Sequence, residues 1–383
     1  MEIYKTKSFE ILRYWAKQDF KGWDPYDMLN SKLIKACVPD KSHFLLWVFI
    51  QLGKVLPLNL RRILFVPKTH NAKCIALFIS GICNYWYLCK DDRLELTNYL
   101  DRLVLILEQH KDPSNNAWGY GFLWVARGGL RFPAGAPNVV VSYYVYSALE
   151  KLSNLEDYKP PIKIDKWLYP KDLMGILRRT KFNNGLLFSY SAYEGNEGVF
   201  NASLFASFIF AKSNQNLNKT EREFVSKSIN TVEDNIKDDG SIVYGQKSFQ
   251  NWIDNHHTLY ILEAGLRLNN ETDYNFNRDK LDKMIKYYRK HFLKNKKFPL
   301  FLNKMYVMDF HALGQLLRMT EYGIYEFSEI EEVLNKWVKY FNKSKFPYRI
   351  YNFGINRVNY IRWTQAFMFY GLSFYDKYGS KKS

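Results

Sequence analysis

The sequence predicts an all-α fold, an (α/α)6 toroid of helical hairpins, and three observations predict it. Apolar positions return every three or four residues along most of the 383-residue chain, as in RLELTNYLDRLVLILEQH and NKTEREFVSKSINTVEDNI. No stretch reads as a convincing strand. A unit of roughly 50 to 70 residues recurs, made of a loop rich in Gly, aromatics and Asn or Asp, then an apolar helix, then a more polar amphipathic one. That unit is too long and too loop-rich for the common helical solenoids, whereas a closed ring of hairpins suits it.

Taken in order, residues 1–70, with GWDPYDMLNSKL and HFLLWVFIQLGKVLPLNL, are expected to form a helical extension packed outside the ring or across one end. Residues 71–383 are expected to form the toroid, beginning with helices near 71–89 and 92–110. The recurring loops are NNAWGYGF (115–122), NNGLLFSYSAYEG (183–195), DDGSIVYG (238–245), KKFPLFLNKMY (296–306) and KFPYRIYNFG (345–354). Each precedes an apolar helix: NVVVSYYVYSALEKL, VFNASLFASFIFA, WIDNHHTLYILEAG, VMDFHALGQLLRM and YIRWTQAFMFYGLSFY. Helices packed on both sides form the inner barrel, and the polar ones form an outer layer wet on one face. The Pro-rich stretch YKPPIKIDKWLYP (158–170) does not interrupt the repeat, so the toroid counts as one domain.

Composition bounds the function. A hydrophobic content of 47% allows a large core, and 17% aromatic residues can line a carbohydrate site as readily as fill that core. The formal net charge of +17 favours an anionic partner: nucleic acid, an anionic membrane face or an acidic polysaccharide. Lysines are dispersed, with dense runs only at KNKK (294–297) and in the tail KKS, and no nucleic-acid-binding module is recognisable. Cys37, Cys74, Cys83 and Cys89 show no zinc spacing and read as reduced thiols of a cytoplasmic protein. The charged N-terminus does not read as a signal peptide. The apolar stretch CIALFISGICNYWYLC (74–89) falls short of the roughly 20 residues that cross a bilayer and reads as a buried helix. HFLLWVFIQL is expected first to pack into the core, with peripheral contact at the inner membrane face as the alternative.

In a ring of hairpins the first turns of the inner helices converge on one mouth. Those turns carry Asn138 and Ser142; Asn201 and Ser203; Asp254, Asn255, His256 and His257; Asp309 and His311; Arg362, Trp363 and Gln365. The loops add Trp118, Tyr120, Tyr190, Tyr193, Glu194, Glu197, Tyr244, Tyr348 and Tyr351, giving a polar, aromatic-walled pocket. Asp254, Asp309, Asn201 and Asn138 also stand where helix caps would. Two adjacent histidines, with a second D-x-H at Asp309 and His311, favour a site over caps alone; His256 points elsewhere on the helix and ranks below His257.

Three chemistries could use these residues. Proton abstraction beside a carboxylate needs a His or Tyr base and a cation or amide to neutralise the substrate. Candidate bases are His257, His311, Tyr190 and Tyr244, with Arg362, Asn201 or Asn255 as neutralisers. Glycoside hydrolysis needs two carboxylates across the bond, from Glu194, Glu197, Asp239 and Asp254. Isoprenoid cyclisation could use the aromatic lining, but neither an Asp-rich motif nor a Cys/His/Asp zinc set is present. Asp254, His257, Asp309 and His311 would be acceptable metal ligands, although no metal or other cofactor is expected.

GWDPYDMLNSKL (22–33), PLNLRRIL (57–64), NAWGYGFLW (116–124), PAGAPNVVVSYYVYSAL (133–149), VFNASLF (199–205), DDGSIVYG with WIDNHHTLYILEA (238–264) and VMDFHALGQ (307–315) together resemble a bacterial and archaeal family encoded among surface-polysaccharide biosynthesis genes. Its members are often labelled prenyltransferase/squalene-oxidase-repeat-like. The resemblance covers nearly the whole chain and implies a six-hairpin toroid similar to glucuronyl C5-epimerase and heparinase-type lyase domains. It implies functional roles for Tyr26, Asp27, Asn30, Trp118, Tyr120, Asn201, Asp254, His257, Asp309 and His311. The chain departs from the family pattern at His256, at FPLFLNKMY and at Ile242.

The expectation that follows is a cytoplasmic enzyme acting on an acidic polysaccharide or a lipid-linked saccharide, by epimerisation or elimination at a uronate. The rival expectations are a glycoside hydrolase, a non-catalytic glycan-binding protein and an isoprenoid-handling toroid. In the first, His257 is the base or its partner, oriented by Asp254, with His311 and Asp309 beside it. Tyr190 or Tyr244 is the opposing acid, Arg362 and Asn201 the carboxylate clamp, and Trp118 and Tyr120 the stacking platform. Asn255, Glu194, Glu197, Tyr26 and Asp27 complete the expected substrate contacts.

Overall fold

The computed structural model describes residues 2–379 apart from 40, 127–128, 169–170, 183–184 and 305. The tail KKS, the Asn pair opening the 183–195 loop and the last two residues of the Pro-rich stretch lie outside the described residues. Four helices come first: α1 (Glu2–Ala16), α2 (Lys32–Cys37), α3 (His43–Val55) and α4 (Leu60–Ile63). Then follow α5 (Ala72–Tyr85), α6 (Arg93–Gln109), α7 (Val139–Ser153), α8 (Lys171–Ile176), α9 (Phe200–Lys212) and α10 (Lys219–Asp234). The chain continues through α11 (Asn255–Glu271), α12 (Arg278–Phe292), α13 (Phe310–Arg318), α14 (Phe327–Trp337) and α15 (Ala366–Gly379).

The odd-numbered helices from α5 to α15 form the inner wall. Contacts run from α5 to α7, α9, α11, α13, α15 and back to α5, which closes a ring and makes the all-α (α/α)6 toroid. Every residue of α5 is buried, as is every residue of α9 up to Ala211, because a helix packed on both sides has no wet face. The outer helices keep one apolar stripe each, such as Val225, Ile229 and Val232 on α10 or Leu281, Met284 and Tyr288 on α12. Helix α6 packs on α5, α10 on α9, α12 on α11 and α1 on α15. We propose on that ground to count α1 as the outer helix of the first hairpin and residues 17–70 as its enlarged loop.

The ring is laced together at the mouth. The first backbone N–H of α7 donates to the Tyr190 carbonyl, that of α9 to Tyr244, that of α11 to Leu300 and that of α13 to Tyr348, at 3.0 to 3.3 Å. Ile361 N–H repeats the pattern onto the Trp23 carbonyl at 3.1 Å, across the ring closure. Each helix start therefore satisfies one of its unpaired N–H groups with the loop of the next hairpin, and in doing so positions that loop.

The described residues include seven short strands where the sequence shows none: β1 (Trp124–Val125) with β2 (Arg131–Phe132), β3 (Arg179–Phe182) with β4 (Gly185–Phe188), and β5 (Met308–Asp309) with β6 (Arg349–Tyr351) and β7 (Gly354–Asn356). Runs of two to four residues cannot display the period of two on which a sequence reading depends. Helices α13 and α15 touch backbone to backbone: a Cβ on Gly371 would fall 2.4 Å from the Gly314 carbonyl oxygen. Among the described residues no helix is long and apolar enough to cross a membrane; the stretch beginning at Cys74 is the interior of α5.

Candidate active site

The inner helices start in matching register. Their cap residues are Asn71, Asn138, Val199, Asp254 and Asp309, with Tyr360 before the wide helical turn that leads into α15. Two residues beyond each cap stand Lys73, Val140, Asn201, His256, His311 and Arg362. All six line one cavity of about 410 Å³, room for a small ligand or the end of a longer one. Equivalent positions in six equivalent first turns share one direction relative to the ring axis, so their side chains meet. His257 and Trp363, one position further on, join the same wall. Tyr120, Trp124, Tyr190, Tyr244, Trp252 and Arg349 enter from the loops, and Tyr26, Trp47, Gln51 and Lys54 close the rim.

Asp254 organises the acid–base part. Its Oδ1 accepts the His257 backbone N–H at 2.9 Å, and its Oδ2 accepts Trp252 Nε1 at 3.0 Å and His257 Nδ1 at 2.6 Å. Because Nδ1–H donates to the carboxylate, the lone pair of His257 resides on Nε2. Burial raises the Asp254 carboxyl, but the neighbouring His256 and His257 prevail and hold it below the usual carboxylate range. Tyr244 stacks on Trp252 with ring centroids 4.6 Å apart and lies 4.4 Å from the His257 ring.

His256 is buried and its Nδ1 has no hydrogen-bond partner, lying 3.6 Å from Asp254 Oδ1. Burial pushes its pKa down to about 3, with Asp254 opposing, so the ring is neutral at ordinary pH. A polar chain runs beside it. Lys73 Nζ donates to Tyr260 OH at 3.3 Å, Tyr260 OH donates to His311 Nε2 at 2.6 Å, and His311 Nδ1 donates to the Trp363 carbonyl at 3.0 Å. Burial, with His256 and Lys73 adding to it, holds His311 well below the ordinary imidazole value. Lys73 lies 4.1 to 5.1 Å from the rings of Tyr144, Tyr260 and Phe367, and burial followed by Arg362 lowers it well below an ordinary lysine.

The two guanidinium groups of the wall are already paired. Arg362 forks onto Asp24, with one bond of 2.8 Å, and Arg349 Nε donates to Asp309 at 2.7 Å. Asp309 also caps His311 and accepts Trp363 Nε1, so it lies behind the cavity as a support. Among the described residues the cavity cations with no carboxylate partner at ion-pair distance are then Lys73, buried in the wall, and Lys54, at the rim over the Tyr26 ring.

Other expected members stand elsewhere. Trp118 is in the core, its Nε1 donating to the Leu107 carbonyl at 2.9 Å; the loop rings that line the cavity include Tyr120, Trp124, Tyr190, Tyr244 and Trp252. Asn255 faces backwards, bridging the Pro299 carbonyl and Tyr288 OH. Glu194 is exposed beside Arg178, and Glu197 binds Arg178 and Lys247. Asp27 pairs with Arg61 at 2.6 Å, both side chains buried, and does not line the cavity. Asn201 is not a cap, since Val199 holds that position; its Oδ1 is buried without a partner, as is Nδ2 of Asn196 on the same wall. Unpaired buried amides at a cavity are groups that a ligand can satisfy.

Asp254 is the sole carboxylate lining the cavity among the described residues. Asp254, His256 and His257 each bring a potential ligand atom within 4.8 Å of one another. The Asp254 oxygens already accept three protein donors, which makes the group a closed hydrogen-bonded cap more than an open ligand set. Lys73, Tyr260 and Arg349 escaped the sequence reading; the signal for Lys73 was its place two residues after Asn71, in an otherwise apolar helix.

No family model matches the chain, and no curated protein matches it in sequence. Solved structures match it in shape. A sugar epimerase from a ruminal bacterium gives a TM-score of 0.55 at 10% identity, over 80% of this chain and 87% of that one. Cellobiose 2-epimerase from Bacillus thermoamylovorans B4167 gives 0.54 at 11% identity, over 80% and 88%. A polysaccharide lyase gives 0.53 at 10% identity, over 81% and 90%. At these identities the likeness establishes the toroid and leaves the chemistry to the residues.

Proposed function

We propose that the chain is a carbohydrate-active enzyme that epimerises a uronic acid residue of an acidic glycan, free or lipid-linked, by moving the proton on the carbon beside the carboxylate. The observation that carries this reading is His257, held by Asp254 in one tautomer with its lone pair on Nε2, in a wall that contains no second carboxylate among the described residues. Hydrolysis of a glycosidic bond needs a carboxyl pair, and the expected partners Glu194 and Glu197 are tied to Arg178 away from the cavity. Burial raises the pKa values of Tyr190, Tyr244 and Tyr260, so these phenols stay protonated and can donate, which leaves imidazole as the base.

The roles follow. His257 Nε2 takes the proton from C5, and the electron pair moves into the substrate carboxylate as an enolate. Lys73 is the cation for that charge: burial disfavours its ammonium form in the free protein, and an anionic substrate restores it. A proton returned to the opposite face from the Tyr190 hydroxyl, which lies 3.0 Å from Tyr120 OH, completes the inversion. Loss of the substituent on C4 instead would complete an elimination. Support comes from the net charge of +17, which suits a polyanion, and from the occurrence of this fold in a sugar epimerase and a polysaccharide lyase.

The test is proton exchange. Uronate-containing glycans incubated with the enzyme in deuterated water should gain deuterium at C5, read by NMR, and lose that exchange in His257→Ala. The proposal fails if exchange is absent for every uronate glycan offered, or if it persists in a folded His257→Ala protein. Ultraviolet absorbance from a C4–C5 double bond would assign elimination instead.

A further inference from the structure

One face of α3 walls the cavity through Trp47, Gln51 and Lys54, and another buries Leu46, Ile50 and Gly53. The remaining face is apolar and uncovered. Phe44 and Val55 are 70% and 58% exposed, and Leu52, between them, is exposed too. Phe44, Val48, Leu52 and Val55 fall at i, i+4, i+8 and i+11, a single stripe along the helix. The segment that follows adds Leu58, Ile63 and Phe65, each about two-thirds exposed. A stable core has no use for such side chains in water, and a run of them in one segment marks a contact surface.

Charge decides the partner. Residues 41–90 contain no Asp or Glu, while Lys41, Lys54, Arg62 and Lys68 flank the stripe. Pairing with a second copy about a two-fold axis would set this basic segment against itself. A glycan offers aliphatic side chains such as Leu52, Leu58 and Ile63 nothing that an aromatic ring would not offer better. An anionic bilayer answers both features, with acyl chains for the apolar stripe and headgroup charge for the bases.

We propose that α3 and the segment through Phe65 form a membrane-docking face that seats the protein on an anionic lipid surface beside the cavity rim. Half-buried Trp47 and Lys54 belong to the same helix, so docking brings the mouth to the headgroup layer and delivers saccharides held there. The inference concerns the surface alone and stands apart from the reaction proposed above.

The experiment is flotation of the full chain with vesicles of phosphatidylcholine alone or mixed with phosphatidylglycerol. Binding is expected to the mixed vesicles, to weaken as salt rises, and to fall at least about tenfold in Phe44→Ser/Leu52→Ser. Should that variant fail to fold, Ile63→Ser/Phe65→Ser, checked by thermal melting, is expected to show the same loss. The proposal is overturned if the wild type ignores anionic vesicles, or if both folded variants bind as it does. It is equally overturned if the wild type is a dimer that these substitutions dissociate, because the face would then belong to a second copy. Vesicle binding is read without sugar turnover, so failure here and failure of the proposed epimerisation are separate results.

Discussion

Oδ2 of Asp254 lies 2.6 Å from Nδ1 of His257, and the same carboxylate caps the helix that carries the histidine. One residue thus fixes both the start of α11 and the tautomer of its base. Asp254→Asn keeps an oxygen for the cap but removes the charge that orients and supports the imidazolium. We expect kcat to fall by about two to four orders of magnitude while the melting temperature changes little. Asp254→Ala should add a cap loss of about 1 kcal/mol, measured by urea unfolding. If Asp254→Asn retains full turnover, the carboxylate is a cap and nothing more.

Lys73 makes the opposite trade between stability and binding. Its ammonium has no carboxylate partner at ion-pair distance, so an apolar residue of similar length should be tolerated or preferred in the free protein. Lys73→Met is expected to melt at the same temperature or a few degrees higher, within about 5 °C. Binding of an acidic glycan should weaken about tenfold or more, since a hydrogen bond to a charged group is lost. Calorimetric titration checks it; equal affinity would remove Lys73 from the site.

The imidazoles give a pH signature. The folded pKa of His256 is about 3, below the ordinary 6.5, and His311 is lowered in the same sense. Between those values the unfolded chain binds more protons than the folded one, so unfolding free energy falls as pH falls. For His256 the contribution is fully present above about pH 6.5 and is lost progressively down to about pH 3, at up to roughly 1.4 kcal/mol per pH unit, and His311 acts in the same direction. Urea midpoints measured across that range should decline in the wild type and decline less in His256→Asn. A flat profile would mean that the rings are hydrated and already charged.

Much of this was legible in the sequence, and what was missed has physical causes. The repeat of loop and apolar helix marked the ring because inner helices lose their polar face when both sides are packed, as α5 and α9 do. His257 and His311 stood out by residue type. Their register did not: the cavity collects the second residue after each cap, and finding that position requires knowing that Val199 and Tyr360 begin helices without a capping side chain. Counting from the true caps promotes His256 and Lys73. Trp118 was misplaced because a loop tryptophan beside glycines reads the same whether its indole N–H meets a ligand or the Leu107 carbonyl. The pairing of Arg362 with Asp24 joins residues 338 apart in sequence, and no local pattern announces it.

Below the cavity a buried cluster closes the ring. Glu263, two turns along α11 from His256, accepts Tyr143 OH at 2.7 Å, Gln315 Nε2 at 2.5 Å and Arg318 through both guanidinium NH groups, one of them at 2.8 Å. These partners come from α7 and α13, so the ion pair ties three inner helices together. Removing one charge strands the other in a medium that cannot solvate it, whereas removing both leaves only hydroxyl and amide groups to satisfy. Arg318→Met should therefore destabilise by about 3 to 5 kcal/mol, and Glu263→Leu/Arg318→Met should recover about half of that loss or more. Urea unfolding of the two single variants and the double variant gives the coupling directly. Additive losses would mean that the pair contributes through packing alone, and that the closed end of the ring is held by its apolar neighbours.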